Sequence, residues 1–291
     1  LSVSCFEGDN DAPRDEESAK IWKKMGLPES RIYFFPKKKN WWGPAGQTGP
    51  CGPDTEMFYD VCYEMPGYKE DLKKHKDGGK ASQSNCDAAC DCGRYVEVWN
   101  DVFMQYNKKA GGTFEPLAQQ NVDTGLGLER VTAILQGKPS PFETELFWPA
   151  VEEILKQAKR DAVAGIIPQD GIASVRIIAD HLRAATFILG DPMGVAPCNV
   201  DQGYIVRRLI RRAIREGKNL GIEADFIGRI GQIYIDIYRG MYPELGTNSA
   251  RIINELTREE AQFQKTLEKG LREVEHLMKQ KGTLSGADVF Y

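Results

Sequence analysis

The sequence has no long apolar run. No stretch of its 291 residues approaches the ~18 apolar residues that a membrane-crossing helix needs. No membrane partner is therefore expected. The opening LSVSCFEGDND has no basic segment followed by an apolar run, so it does not read as a secretory signal. There is no excess of positive charge either. The formal net charge is −4, which argues against a generic polyanion binder, although the basic residues are unevenly placed. No internal repeat is visible. Nor is there a pair of C-x2-C knuckles. Seven cysteines are present, and Cys86, Cys90 and Cys92 cluster with His75 upstream. Their C-x3-C-x-C spacing is not a standard zinc pattern, so they read as reduced loop cysteines with no structural zinc. An odd cysteine count without a signal fits a reducing, cytoplasmic setting.

What is present is the composition of a soluble globular chain, 41% hydrophobic and 27% charged. The sequence opens on an apparent mid-strand and closes on the apolar Val289-Phe290-Tyr291, so it reads as part of a longer chain. The first part is mixed α/β. Strands are expected at 1–6, 31–35, 56–63 and, most clearly, 95–106, with a helix over 14–25. Residues 40–54 are crowded with Gly and Pro and read as an ordered or functional loop. Residues 64–92 read as an exposed, lysine-rich insertion. Residues 107–113 suit a hairpin, and 113–122 lead to a helix over 128–136. From about residue 140 the pattern is helical. Helices are expected at 149–159, from a Ser174 cap to Leu189, at 204–218, at 226–238 and at 250–281. The last carries a stripe of Ile252, Leu256, Phe263, Leu267, Leu271, Val274 and Met278.

The sharpest local signal is Val122-Asp123-Thr124-Gly125-Leu126-Gly127-Leu128-Glu129-Arg130. An acid ends a strand, two glycines follow, and an arginine sits in the first helical turn. Glycine lets a base or ribose approach the backbone. An arginine at the positive end of a helix suits a phosphate, and Asp123 suits an ammonium group. A bare Gly-x-Gly turn with a surface arginine is the plainer alternative. On strand 95–106, alternation puts Val98, Asn100 and Val102 on one face and Trp99 and Phe103 on the other. One amide between two small apolar groups fits a small pocket for a methyl and a carboxylate.

The run VDTGLGLERVTAILQG resembles motif 3 of class II aminoacyl-tRNA synthetases, in the version found in alanyl-tRNA synthetases. NWWGPAGQTGPCGP, EMFYD, RYVEVWNDVFMQYN, IADHLRAATF and NVDQGYIVRRLIRRAIREG match the same family in the same order. The resemblance implies specific roles. Trp42 would close the alanine pocket, Asn100 would contact the carboxylate, Val102 would form a wall, and Asp123 would bind the α-amino group. Gly125 would lie by substrate and nucleotide, Gly127 by the nucleotide, and Arg130 on the ATP triphosphate, with Mg²⁺ as the accompanying ion. Asp123 and Arg130 would be the residues closest to the chemistry. The family's motifs 1 and 2 would lie ahead of Leu1, so the chain is expected to be inactive alone. Asp54 stands where many relatives carry cysteine, a departure not expected to alter the substrate.

The second constellation is basic. At ~100° per residue, Arg207, Arg208, Arg211, Arg212, Arg215 and Lys218 fall within ~140° of one helix. No acid interrupts that stripe, which suggests a track for a phosphate backbone. Just ahead of it, Asn199 presents an amide able to donate and accept, as reading a base edge requires. The resemblance implies that Asn199 reads the G·U wobble pair in the acceptor stem of tRNA-Ala, with a partner aspartate beyond Tyr291. His181 beside Asp180 reads as a partly buried, hydrogen-bonded histidine as readily as an RNA contact.

The expected fold is α+β: a partial class II antiparallel sheet over 1–140, then an all-α tRNA-recognition domain over 141–291. The expected activity is ATP-dependent ligation of alanine to tRNA-Ala. The alternative is a non-catalytic tRNA-binding module or paralogue.

Overall fold

The computed structural model describes residues 1–61, 87–90, 93–160, 170–223 and 225–286. It divides into two compact units, Leu1–Thr144 and Glu145–Tyr291. Together they make an α+β chain.

The first unit is a sheet of β1 (Ser2–Phe6), β2 (Ile32–Phe35), β3 (Trp41–Trp42), β4 (Gly49–Asp60), β5 (Tyr95–Lys108) and β6 (Phe114–Leu126), in the order β2-β1-β4-β5-β6 with β3 paired to β4 off that path. β1 lies parallel to β2 and antiparallel to β4. Parallel neighbours need a crossover, which α1 (Glu16–Lys24) supplies. Asp15 caps that helix by accepting from Ser18 N at 2.9 Å, with acids in the first turn and lysines in the last. Ala19 and Trp22 pack onto Val3, Cys5 and Ile32. The Trp22 indole also donates to Thr55 Oγ1 at 2.9 Å, and Thr55 donates to Ser4 O at 2.6 Å. Helix and sheet are thus locked by a satisfied polar bridge inside an apolar layer.

Residues 40–54 are not one loop. Trp41–Trp42 form β3, and β4 already begins at Gly49. The Gly/Pro run is tolerated because the β4–β5 register shifts between Cys51 and Asp54. Gly52 is required there, since a Cβ would meet Phe103 O at 1.8 Å. Trp41 is the packed indole, 5.3 Å from Phe114 and 5.6 Å from Phe6. Trp42 is 40% exposed.

β5 (Tyr95–Lys108) and β6 (Phe114–Leu126) form a hairpin whose turn closes from Lys109 N to Thr113 O at 2.9 Å. Strict alternation fails at Val98, the extra residue where Met57 pairs Trp99 but Phe58 pairs Glu97. Val98 O instead accepts from Gly127 N at 3.1 Å. That bond brings the turn after β6 back over β5 and starts α2 (Leu128–Leu135).

The second unit comprises α3 (Trp148–Gln157), α4 (Ile172–Gly190), α5 (Asp201–Asn219), α6 (Ile227–Tyr238), α7 (Pro243–Thr247) and α8 (Ser249–Lys281). Val175, Ile178, Leu182 and Ala185 of α4 are buried, as their helical spacing requires. They face a core that also takes Val206 and Ile210 of α5, Ile230 and Tyr234 of α6, and Ile252 and Leu256 of α8. Ser174 is not the cap of α4. Gly171 holds that position at φ +82°, and the Ser174 hydroxyl donates to Glu216 of α5 at 2.9 Å. The stripe along α8 is only half a core stripe. Ile252 and Leu256 are buried, whereas Leu271 and Met278 are exposed. At ~1.5 Å per residue the helix is ~50 Å long, and it outruns the shorter helices beside it.

Candidate functional site: an acid-lined sheet cleft and a clamped loop before α5

Two adjacent rungs of the first sheet carry most of the sequence candidates. Glu56 of β4 pairs Asn100 of β5, which pairs Gly125 of β6; Asp54 pairs Val102, which pairs Asp123. Residues two apart on a strand share a face, so Asp54, Glu56, Asn100, Val102, Asp123 and Gly125 form one patch. Val102 is buried, Asp123 is exposed, and a Cβ on Gly125 would meet nothing within 4 Å. The patch therefore has an apolar floor, an open glycine side and an acid at its rim.

Arg130 reaches the edge of this patch. Its Nη1 donates to Glu97 O at 3.0 Å and lies 3.5 Å from Glu97 Oε2. Gly127 lets it lie close, since a Cβ there would be 3.2 Å from Arg130 Cδ. Arg130, Glu97, Glu56, Lys38 and Lys39 line a cavity of 540 Å³. That volume suits a small ligand. Trp42 is joined to the group through the sheet: it pairs Gly52, two residues before Asp54.

The sequence reading missed the buried acids. Asp54 is 2% exposed and Glu56 half-buried. Burial pushes the Asp54 carboxyl up to about 7 despite hydrogen bonds from Asn40 and Asn100. Burial also pushes Glu56 up to about 8, with Asp54 and Glu97 adding like charge. Asn40 Nδ2 donates to Ser4 Oγ at 2.7 Å and to Asp54 Oδ1 at 3.0 Å. Asn100 Nδ2 donates to Glu56 Oε1 at 3.2 Å and Asp54 Oδ2 at 3.4 Å. Facing two carboxyl groups fixes the Asn100 amide with its nitrogen inward. Its Oδ1 is left buried without a protein partner. An orphaned acceptor of this kind is costly unless a donor arrives. Part of the signal was in the quoted runs, since Asn40 and Glu56 lie within them and Asp54 immediately follows the first.

The helical unit brings Asn199 and α5 together but alters the cationic stripe. Arg207 Nε and Arg211 Nε lie 3.3 and 2.6 Å from Glu259 Oε1 of α8, a carboxylate only 3% exposed. Arg215 pairs with Glu216 at 2.7 Å. The stripe is thus not free of acids. One comes from 48 residues downstream of Arg211, where helical spacing on α5 has no view of it. Arg208 and Arg212 remain exposed. Arg208 lies 5.7 Å over the Tyr204 ring; the His181 hydrogen bond, with Arg212 helping, holds the Asp180 carboxyl below its usual range. Lys218 is exposed near the end of the helix. Asn199 is exposed and accepts from Arg207 Nη1. His181 is half-buried, with Nδ1 3.1 Å from Asp180.

Cys86, Cys92 and His75 lie outside the described residues. Among the described residues no group of three His, Cys, Asp or Glu could hold a metal ion. No described helix is long and apolar enough to cross a membrane.

The family model described as "tRNA synthetases class II (A)" matches residues 1–291. An alanine–tRNA ligase of Treponema pallidum is 46% identical over 279 residues, covering 96% of this chain and 43% of the relative. One of Treponema denticola is 48% identical over 256 residues, covering 87% of this chain and 39% of the relative. One of Borreliella afzelii is 45% identical, covering 94% and 43%. The chain spans about two fifths of the length of these relatives. With a match along its whole length and an open, acid-lined cleft on its sheet, the chain belongs to the class II (A) tRNA synthetase family.

Proposed function

We propose that this chain supplies the amino-acid pocket, part of the ATP site and the acceptor-stem surface of a cytoplasmic alanine–tRNA ligase. Residues 1–140 would be the carboxyl-terminal part of the catalytic domain and 141–291 the tRNA-recognition domain. The observation that carries the reading is the pair of rungs Glu56–Asn100–Gly125 and Asp54–Val102–Asp123. They suit a small amino acid: Val102 meets the methyl group, and Asp123 pairs with the ammonium from the rim. The resemblance implied that Asn100 contacts the carboxylate; we favour a contact with the ammonium. With Nδ2 held by Asp54 and Glu56, its free Oδ1 favours the ammonium over the carboxylate. Trp42, on the neighbouring strand, closes the pocket from above.

The reaction needs position and charge more than a general base. A carboxylate oxygen of alanine attacks the α-phosphorus of ATP in line, and the bond to pyrophosphate breaks. A terminal hydroxyl of the tRNA then attacks the acyl carbon and releases AMP. Arg130, loosely held by Glu97, turns toward the triphosphate, with Gly125 and Gly127 beneath the nucleotide. Mg²⁺ accompanies the phosphates as the family's chemistry requires, and no described residue is assigned to it. Arg208 and Arg212 offer exposed cations to the tRNA backbone.

The test is alanine-dependent ATP–pyrophosphate exchange by the full-length enzyme, alongside filter binding of tRNA-Ala. Exchange and binding together support the ligase. Binding without exchange supports a non-catalytic tRNA-binding module instead.

A further inference from the structure

Arg207 lies in the cationic stripe but is poorly placed to bind a phosphate. Its side chain is 14% exposed. Its Nη1 donates to Asn199 Oδ1 and its Nη2 to Pro197 O at 3.2 Å. Its Nε lies 3.3 Å from the buried Glu259 as an ion pair without a hydrogen bond, while Arg211 Nε donates to the same oxygen at 2.6 Å. The planar fork of an arginine has five N–H groups in fixed directions; here both terminal nitrogens are held by the loop and Nε is buried beside Glu259.

The loop that Arg207 grips is itself built tightly. Cys198 N donates to Gly203 O at 3.1 Å, and Cys198 Sγ lies 3.1 Å from Val200 O. A Cβ at Gly203 would meet Cys198 Sγ at 2.4 Å and Ala196 O at 2.5 Å, so only glycine admits this closure. Asn199 therefore projects from a rigid base with its oxygen occupied. Its Nδ2 has no hydrogen-bond partner among the described residues, and the residue is exposed. Val200, Tyr204 and Ile205 are exposed beside it.

We propose that Arg207 is a positioning residue for base recognition, fixing Asn199 as a donor-only probe that reads an acceptor atom on a base edge of a paired RNA stem. The inference rests on the reading above, in which Asn199 meets the acceptor stem of tRNA-Ala. The wide, shallow minor groove of an RNA helix presents such acceptors, purine N3 and pyrimidine O2. Arg207, anchored by Glu259, sets the amide's rotation; Arg208 and Arg212 meet the phosphates.

The experiment uses the full-length enzyme and RNA acceptor-stem hairpins carrying either a G·U or a G·C pair, titrated across salt. Arg207→Lys keeps a positive charge opposite Glu259 but has no fork. It should lower the G·U-over-G·C affinity ratio about tenfold, with an unchanged salt slope. Arg212→Ala should do the reverse, reducing the slope by roughly 0.7–0.9 and sparing the ratio. Asn199→Asp keeps an acceptor for Arg207 and removes both donors. It should abolish the ratio, and it decides the donor claim even if the lysine variant unfolds. Hairpins with 3-deazaguanosine or 2-thiouridine in the G·U pair identify which acceptor is read. A shallower salt slope with full discrimination in Arg207→Lys would make Arg207 a phosphate contact and overturn the proposal. Full discrimination by Asn199→Asp would overturn it as well. A wild-type enzyme that binds both hairpins equally would instead remove the Asn199 reading beneath it.

Discussion

Each unit buries an acid beside its candidate surface, Asp54 with Glu56 in one and Glu259 in the other, and these two places are built in opposite ways. In the sheet unit, Asp54 and Glu56 are surrounded by amides and each other, and burial lifts both toward or above neutrality. In the helical unit, Glu259 is almost as buried but lies against two guanidinium groups. A buried acid with matched cations is part of the scaffold. Buried acids that hold amides, beside an open glycine and an orphaned amide oxygen, describe a place where a donor or cation arrives. The contrast separates site from scaffold better than counting charges does.

The sharpest way to break this contrast is at Asp123. Asp123→Ala in the full-length enzyme should lower kcat/KM for alanine-dependent exchange by 10³-fold or more, with tRNA affinity within about twofold. Normal exchange would remove the acid from the pocket. Next, Glu259→Ala should leave Arg207 and Arg211 facing each other without a counter-charge. It should destabilise the helical unit by about 3 kcal/mol in chemical denaturation, while pyrophosphate exchange at low temperature persists. A loss of exchange with unchanged stability would make Glu259 a site residue.

The smallest effect concerns Glu260 of α8, fully buried, where it accepts from Phe226 N at the start of α6 at 3.3 Å. Burial lifts it from 4.5 to about 7. The sign follows from the raised value. Its protonated form favours the fold below pH 4.5, and that stability is lost as pH rises through about 7. Glu260→Gln should therefore match wild type near pH 4.5 and exceed it by about 1–2 kcal/mol at pH 8. The same change at Glu56 should also flatten the stability–pH curve, but it frees Asn100 and should lower alanine affinity several-fold. Equal alanine affinity in both variants would erase the distinction between the two acids.

Much of the sheet was legible because its signals are local. The 122–130 turn and the 95–106 strand are contiguous, and alternation correctly put Asn100 with Val102. Alternation failed at Val98, where an inserted residue leaves the ladder. It gave no warning that Gly49–Asp54 is strand, because Gly and Pro read as loop unless a bulge relieves them. The helix faces were legible wherever a neighbour exists to cover them, as for α4. The far half of α8 has the same periodicity, but among the described residues nothing buries Leu271 or Met278. Arg207 and Arg211 show the deeper limit: spacing fixes which way a side chain leaves its own helix, but not which acid meets it there. The Asp54–Glu56–Asn100 network was hidden for the same reason, since it forms across strands more than 40 residues apart in sequence.

The most direct measurement is a structure of the full-length enzyme with a non-hydrolysable alanyl-adenylate analogue. The account predicts its methyl against Val102 and its ammonium between Asp123 and Asn100 Oδ1, with the nucleotide over Gly125 and toward Arg130. An analogue bound away from these two rungs, or one whose ammonium faces neither Asp123 nor Asn100, would contradict it.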